Sequence, residues 1–206
     1  MYFPANMTFQ YFFFDTYPGY FLQVLPLVII VGLICLILQC KKSKATDGRI
    51  TGDAVLTALF AAYLTGLIAL TVFLDLIQDT WYLLLYHQNV YDFGNFFALD
   101  FNLVPDFWHH FNGESIGNVI MFFPFGILYP AVRRNTGFQH ILKSGISCVV
   151  AIELLQLICG RAFDINDVIL NTIGVFFGSS VFFLARKILK MKQRIHEGGP
   201  DEQKYF

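Results

Sequence analysis

Apolar residues along this chain gather into five long runs, at about 20–39, 53–74, 115–132, 140–159 and 164–186. Each suits a helix crossing the ~30 Å hydrocarbon core of a bilayer, which takes about 20 residues. The polar residues inside the runs are few and regularly placed. In the second run Ala54, Ala58, Ala62 and Gly66 recur every fourth residue, so small side chains share one helix face and mark a packing surface. The third carries Asn118 near its start and Pro124 in its middle, where proline kinks a helix or frees a carbonyl. Glu153 and Gln156 lie one turn apart among Leu, Ile, Val and Cys of the fourth. The fifth opens with Asp164, Asp167 and Asn171 and runs in the same register into Gly174 and Gly178. Steps of three and four put those five on one stripe, polar in one half and without side chains in the other. Ionisable groups at membrane depth are costly and mark candidate sites. A Gly-x-x-x-Gly face lets a second helix come close. Val175 falls off the stripe, so Leu is expected to be tolerated there and not at Gly174 or Gly178.

The segments between the runs divide the chain. Residues 1–19 are rich in aromatics, including Phe12, Phe13, Phe14 and Tyr17, with a Pro18-Gly19 turn, and suit the headgroup level. Residues 20–52 hold the first span and a loop with Lys41, Lys42, Lys44 and Arg49. Residues 53–186 form a four-helix membrane domain, with a loop at 75–114 that is acidic, aromatic and free of Lys and Arg. Asp75 and Asp79 at its start are expected to be solvated, and His109-His110 to lie on its surface. A basic tail, 187–206, closes the chain through Gly198-Gly199-Pro200.

Composition settles the class. With 56% hydrophobic residues, 14% charged and 24 Phe in 206 residues, the chain is too apolar for a soluble domain. It reads as an all-α, polytopic bundle of transmembrane helices in the cell membrane. A net charge of −1 gives no footprint for nucleic acid. The four cysteines, Cys35, Cys40, Cys148 and Cys159, lie in or at the ends of apolar runs without metal spacing, and read as packing residues. No Lys or Arg precedes position 41, unlike the basic start of a signal peptide, so the first span is expected to be retained. Of the 14 Lys and Arg, all but Arg161 fall in the 41–52 loop, the 133–143 turn and the tail together with Arg186 at its border. That asymmetry predicts an N-terminus outside and a C-terminus in the cytoplasm.

In that topology Asp100, Asn102, Asn118, Arg161, Asp164 and Asp167 gather at the outer face. Glu153 lies about 12 Å and Asn171 about 10 Å deeper along their helices. Together with Gln156 they predict a polar pocket lined by the third, fourth and fifth spans and lidded by the 75–114 loop. Plainer roles compete. Glu153 and Gln156 also suit interhelical hydrogen bonding, Arg161 suits compensating its carboxylates, and Asp164 suits a helix N-cap. As a ligand contact, Arg161 would anchor a phosphate or carboxylate. The hard oxygens of Asp100, Glu153, Asp164 and Asp167 would accept Mg²⁺ or Ca²⁺, but no Asp-x-Asp-x-Asp loop orders them, so no metal is assigned. No nucleophile motif or phosphate-cradling glycine loop is present, and no cofactor is expected.

Several blocks occur together: Asp-Phe-Asn-Leu-Val-Pro at 100–105, Asn-Val-Ile-Met-Phe-Phe-Pro-Phe-Gly at 118–126 and Glu-Leu-Leu-Gln at 153–156. Arg-x-Phe-Asp-Ile-Asn-Asp-Val-Ile-Leu-Asn-Thr-x-Gly at 161–174 and Gly178 follow. In this order and spacing they resemble the VanZ-like family of bacterial membrane proteins, over about 53–186. Asp106-Phe107 follows Pro105 where the family commonly has Phe directly, and an aromatic N-terminus and a further span precede the shared part. The resemblance implies low-level resistance to teicoplanin and related lipoglycopeptides, drugs that act at the outer leaflet on lipid-linked cell-wall precursors. The expected function is therefore non-enzymatic binding of an amphiphile: a membrane lipid, a lipoglycopeptide antibiotic or a lipid-linked cell-wall precursor. The alternative is a hydrolase or transferase acting on an envelope lipid, with Glu153 or Asp167 as general base.

Overall fold

The computed structural model describes residues 8–44, 52–87, 100–109 and 111–197. Arg49, His110, the middle of the 75–114 loop and the Gly198-Gly199-Pro200 stretch lie outside them. The elements run α1 (Phe9–Asp15), α2 (Tyr17–Lys44), α3 (Gly52–Thr71), α4 (Leu74–Tyr86), β1 (Phe101–Asn102), α5 (Gly113–Val132), α6 (Phe138–Ile158), β2 (Phe163–Asp164) and α7 (Ile165–Glu197). Helices α2, α3, α5, α6 and α7 are long and apolar enough to cross a membrane, and they are the five runs read from the sequence.

Between spans there is no hydrophobic driving force, so close van der Waals approach holds them together. The glycines of α7 supply that approach. A Cβ on Gly174 would overlap the carbonyl of Val119, and one on Gly178 the carbonyl of Phe123, so α7 lies backbone to backbone on α5. Gly126 of α5 answers from the other side, its Cα facing Val175 and Ser179. Val175 is not the free position that the stripe suggests. It is fully buried, and it packs on Gly145 of α6, where an added Cβ would lie 2.5 Å from Val175 Cγ1. Helix α7 thus has two packing faces, and Val175 serves the second. Around it Phe122, Phe125, Val149 and Ile152 form the core, with Leu67 and Val72 from the end of α3.

Helix α2 docks differently. It meets α3 along the alanine stripe, with Gly32 facing Ala62 and Gly66 facing Val28, and it is the least buried of the five spans. Pro124 does not break α5. It cannot donate to the carbonyl of Ile120, and the next carbonyl, of Met121, accepts the hydroxyl of Tyr63 at 2.8 Å.

The segments expected as an interfacial stretch and a loop contain helices. The polar side of α4 turns inward: Gln78 donates to the carbonyl of Phe14 at 3.2 Å, and Asp79, expected to be solvated, is buried. Leu76, Leu83 and Leu84 of α4 face outward instead, an arrangement suited to a helix lying against lipid. Gln23 of α2 reaches the carbonyl of Phe13, and Trp81 donates to the carbonyl of Gln23 at 3.1 Å. The carbonyls at the end of α1, which lack helical donors, are satisfied in this way. Asp75 is exposed, as expected.

Candidate functional site

Three chain breaks meet at one end of the bundle. Helix α3 stops at Thr71, whose carbonyl accepts both Gln156 Nε2 at 2.9 Å and Arg161 Nη1 at 2.8 Å. Helix α6 stops at Ile158 in a Schellman motif: the N–H of Arg161 donates to Gln156 O at 3.0 Å and that of Gly160 to Leu157 O at 3.2 Å. Gly160 has φ of 80°, which glycine adopts without steric cost. That turn folds Arg161 back over the end of its own helix, beside Thr71. Glu153, one turn below Gln156, is 2% exposed. Its Oε2 faces the backbone N–H of Asp164 at 3.4 Å.

The third break lies before α7. Residues 163–164 pair in parallel with 101–102, Phe101 opposite Phe163 and Asn102 opposite Asp164. The N–H of Phe163 also donates to Asp100 O at 2.9 Å. Asp164 is the N-cap of α7, accepting the N–H of Asn166 at 2.8 Å. Its second oxygen accepts Asn102 Nδ2 at 3.2 Å. One turn into α7, Asp167 accepts Asn118 Nδ2 from α5 at 2.5 Å. One turn further, Asn171 is 4% exposed, and among the described residues its Oδ1 has no hydrogen-bond donor.

Of the nine residues singled out from the sequence, eight belong to this end by their side chains. Asp100 contributes only a backbone carbonyl, and its own side chain is exposed. Helix α3 was not expected among the lining elements, and it enters through the Thr71 carbonyl. Arg161 makes no ion pair among the described residues; its guanidinium donates to the Thr71 carbonyl. Three carboxylates, Glu153, Asp164 and Asp167, and a single guanidinium thus share this end of the bundle. Among the described residues no three His, Cys, Asp or Glu side chains are placed to hold a metal ion.

Asn166 escaped the reading of the sequence because it lies off the stripe. Its Oδ1 accepts the backbone N–H groups of Asp106 at 2.9 Å and Phe107 at 3.1 Å, and its Nδ2 donates to Asp106 Oδ1 at 2.8 Å. It clasps the 102–107 segment to the start of α7. The Asp-x-Asn spacing of N-cap and second helical residue was the available signal.

A 650 Å³ groove is walled by apolar side chains of α2, α3 and α5. Its lining includes Leu70, the chain neighbour of Thr71, and Ile120 and Met121, within a turn of Asn118. Tyr63 and Pro124 line its wall on α3 and α5, and Leu25 and Val28 its wall on α2.

Five apolar spans closing over a hydrogen-bonded acidic cluster define a multi-pass helical membrane protein. Residues 60–186 match the VanZ/LLP1 family, and the chain belongs to it. It is 32% identical over 143 residues to Protein VanZ of Enterococcus faecium, a span covering 69% of this chain and 82% of that protein. No solved structure matches it. The family match begins inside α3 and ends inside α7, so it takes in the whole acidic cluster and leaves out α2.

Proposed function

We propose that this protein binds an amphiphile at the outer leaflet, its polar head at the Glu153–Arg161–Asp167 cluster and its acyl chain in the α2–α3–α5 groove. The observation that carries the reading is the nearness of the two along α3 and α5: the groove is lined by Leu70, Ile120 and Met121, within three residues of Thr71 and Asn118 of the cluster, as a head joined to a tail requires. A groove of 650 Å³ lies within the ~300–1,000 Å³ usual for small-molecule sites. Arg161 and the free acceptor of Asn171 supply head contacts of both signs. The basic residues Arg134, Arg186 and Lys190 lie at the opposite end of the bundle, which by the positive-inside rule supports an outward-facing cluster. A teicoplanin-type lipoglycopeptide, an envelope lipid and a lipid-linked cell-wall precursor all have this head-and-tail form. Family membership supports a role in low-level lipoglycopeptide resistance.

The test rests on Glu153. Gln keeps its shape and much of its hydrogen bonding and removes its basicity, whereas Leu removes both. Binding predicts that Glu153→Gln retains teicoplanin tolerance and ligand affinity and that Glu153→Leu loses them, measured at equal membrane levels of each variant. Loss of tolerance in Glu153→Gln with unchanged affinity would favour an enzyme using Glu153 as general base. Orientation is checked by cysteine labelling of whole cells. Leu103→Cys should react with an impermeant reagent and Ser43→Cys should not, and the reverse pattern would overturn the outward site.

A further inference from the structure

At the end of the bundle opposite the acidic cluster, the α5–α6 turn and the C-terminal half of α7 enclose a cavity of about 480 Å³. Three cations line it: Arg134 from the turn, and Arg186 and Lys190, one turn apart on α7. Its apolar lining, or floor, includes Phe182, Ala185 and Leu189. Arg134 also meets Asp53 of α3 at 2.5 Å, but both side chains are more than half exposed, so that pair holds it weakly. Among the described residues, no carboxylate pairs with Arg186 or Lys190. The cations are therefore held close together with less than one counter-charge between them.

We infer that this cavity is a binding site for the phosphate headgroup of an anionic glycerophospholipid. Both α5 and α7 are spans, and the cavity lies where α5 ends, so its basic rim and apolar floor follow the order of headgroup and acyl chains at a membrane surface. The phosphate accepts from two guanidinium forks and an ammonium. The floor takes the first methylenes of the chains. A soluble phosphate would use the rim alone and leave the floor against water. Basic cavities between spans recognise anionic headgroups on these grounds. The site shares no residue with the acidic cluster and does not depend on the function proposed for it.

The experiment titrates the full-length protein in neutral detergent with dioleoyl-phosphatidylglycerol, dioleoyl-phosphatidylcholine or inorganic phosphate, and reads bound ligand by native mass spectrometry. Phosphatidylglycerol should be retained in preference to phosphatidylcholine, and inorganic phosphate should not displace it. Arg186→Gln/Lys190→Gln should weaken phosphatidylglycerol retention about tenfold or more. The control Lys41→Gln/Lys143→Gln removes equal charge from exposed residues of α2 and α6. It should leave retention within about twofold of wild type. Equal losses in the two double variants would overturn the site in favour of general charge attraction. Phosphate binding as tightly as the lipid would reduce it to a free-anion site and overturn the lipid assignment. If Arg186→Gln/Lys190→Gln does not fold, Arg134→Gln on the exposed turn carries the same test, and undiminished retention there also overturns it.

Discussion

Helix α5 meets both α7 and α3, and the two contacts are built on different principles. Against α7 the contact is backbone on backbone, with Gly126, Gly174 and Gly178 leaving no room for a single added carbon. Against α3 the contact is looser and built on side chains, and with α2 it leaves the 650 Å³ groove. The tight seam lies wholly within the family match and the loose one includes a helix outside it. The difference teaches which side of the bundle is scaffold and which can open. A seam without free volume fixes Asp167 against Asn118 and hence the geometry of the cluster. A lateral groove in a span pair is where the proposed acyl chain would enter from the bilayer.

Breaking the seam should have the largest effect. Gly178→Leu forces α7 off the Phe123 carbonyl and should destabilise the protein on the order of 3–5 kcal/mol or prevent its accumulation. Phe177→Leu, at an exposed neighbouring position, should cost less than about 0.5 kcal/mol. Thermal unfolding in detergent compares them, and equal stability would mean that α5 and α7 are not in contact. Gly145→Leu, against Val175, should cost about 1–3 kcal/mol by overpacking the second face of α7. A wild-type melting curve for that variant would return Val175 to the tolerant position expected from its place off the stripe.

Asn166→Ala leaves the N–H groups of Asp106 and Phe107 without their acceptor and should cost about 1–3 kcal/mol. Amide exchange should rise in the 102–109 segment ahead of the helices; exchange rising uniformly would show that the clasp is not local. The smallest stability change is expected on the loose side. Leu25 and Ile120 line the groove at 44% and 63% exposure. Leu25→Trp/Ile120→Trp should fill it and shift stability by less than about 1 kcal/mol while lowering ligand affinity. A large loss of stability would mean that the groove is part of the packed core.

The sequence makes the seam legible and the loose side much less so. Length and apolarity mark all five spans, because a bilayer leaves few alternatives, and the three-and-four spacing of Asp164, Asp167, Asn171, Gly174 and Gly178 marks one face of α7. Asp164 as an N-cap follows from its position before an apolar run. Val175 was misplaced because one stripe was allowed to stand for the whole helix, while α7 packs on two neighbours. Arg161 and Gln156 binding the Thr71 carbonyl depends on where α3 stops, 90 and 85 residues away, which no local pattern records. Helix α4 was hidden for another reason. Its polar residues Gln78 and Asp79 turn inward, Gln78 capping α1, so its pattern is inverted relative to a soluble amphipathic helix. The two-residue bridge between β1 and β2 is too short to leave a period.

The central claim, one amphiphile spanning cluster and groove, is tested most directly by comparing the acylated molecules that co-purify with different variants. Wild type, Leu25→Trp/Ile120→Trp and Glu153→Leu are purified from the same cells, and mass spectrometry of their extracts is read as differences, so that molecules bound at the basic end cancel. The account predicts one acylated species enriched with wild type and depleted from both variants, one altered only in the groove and the other only in the cluster. Depletion from one variant and full retention by the other, or no species that differs among the three, would contradict it.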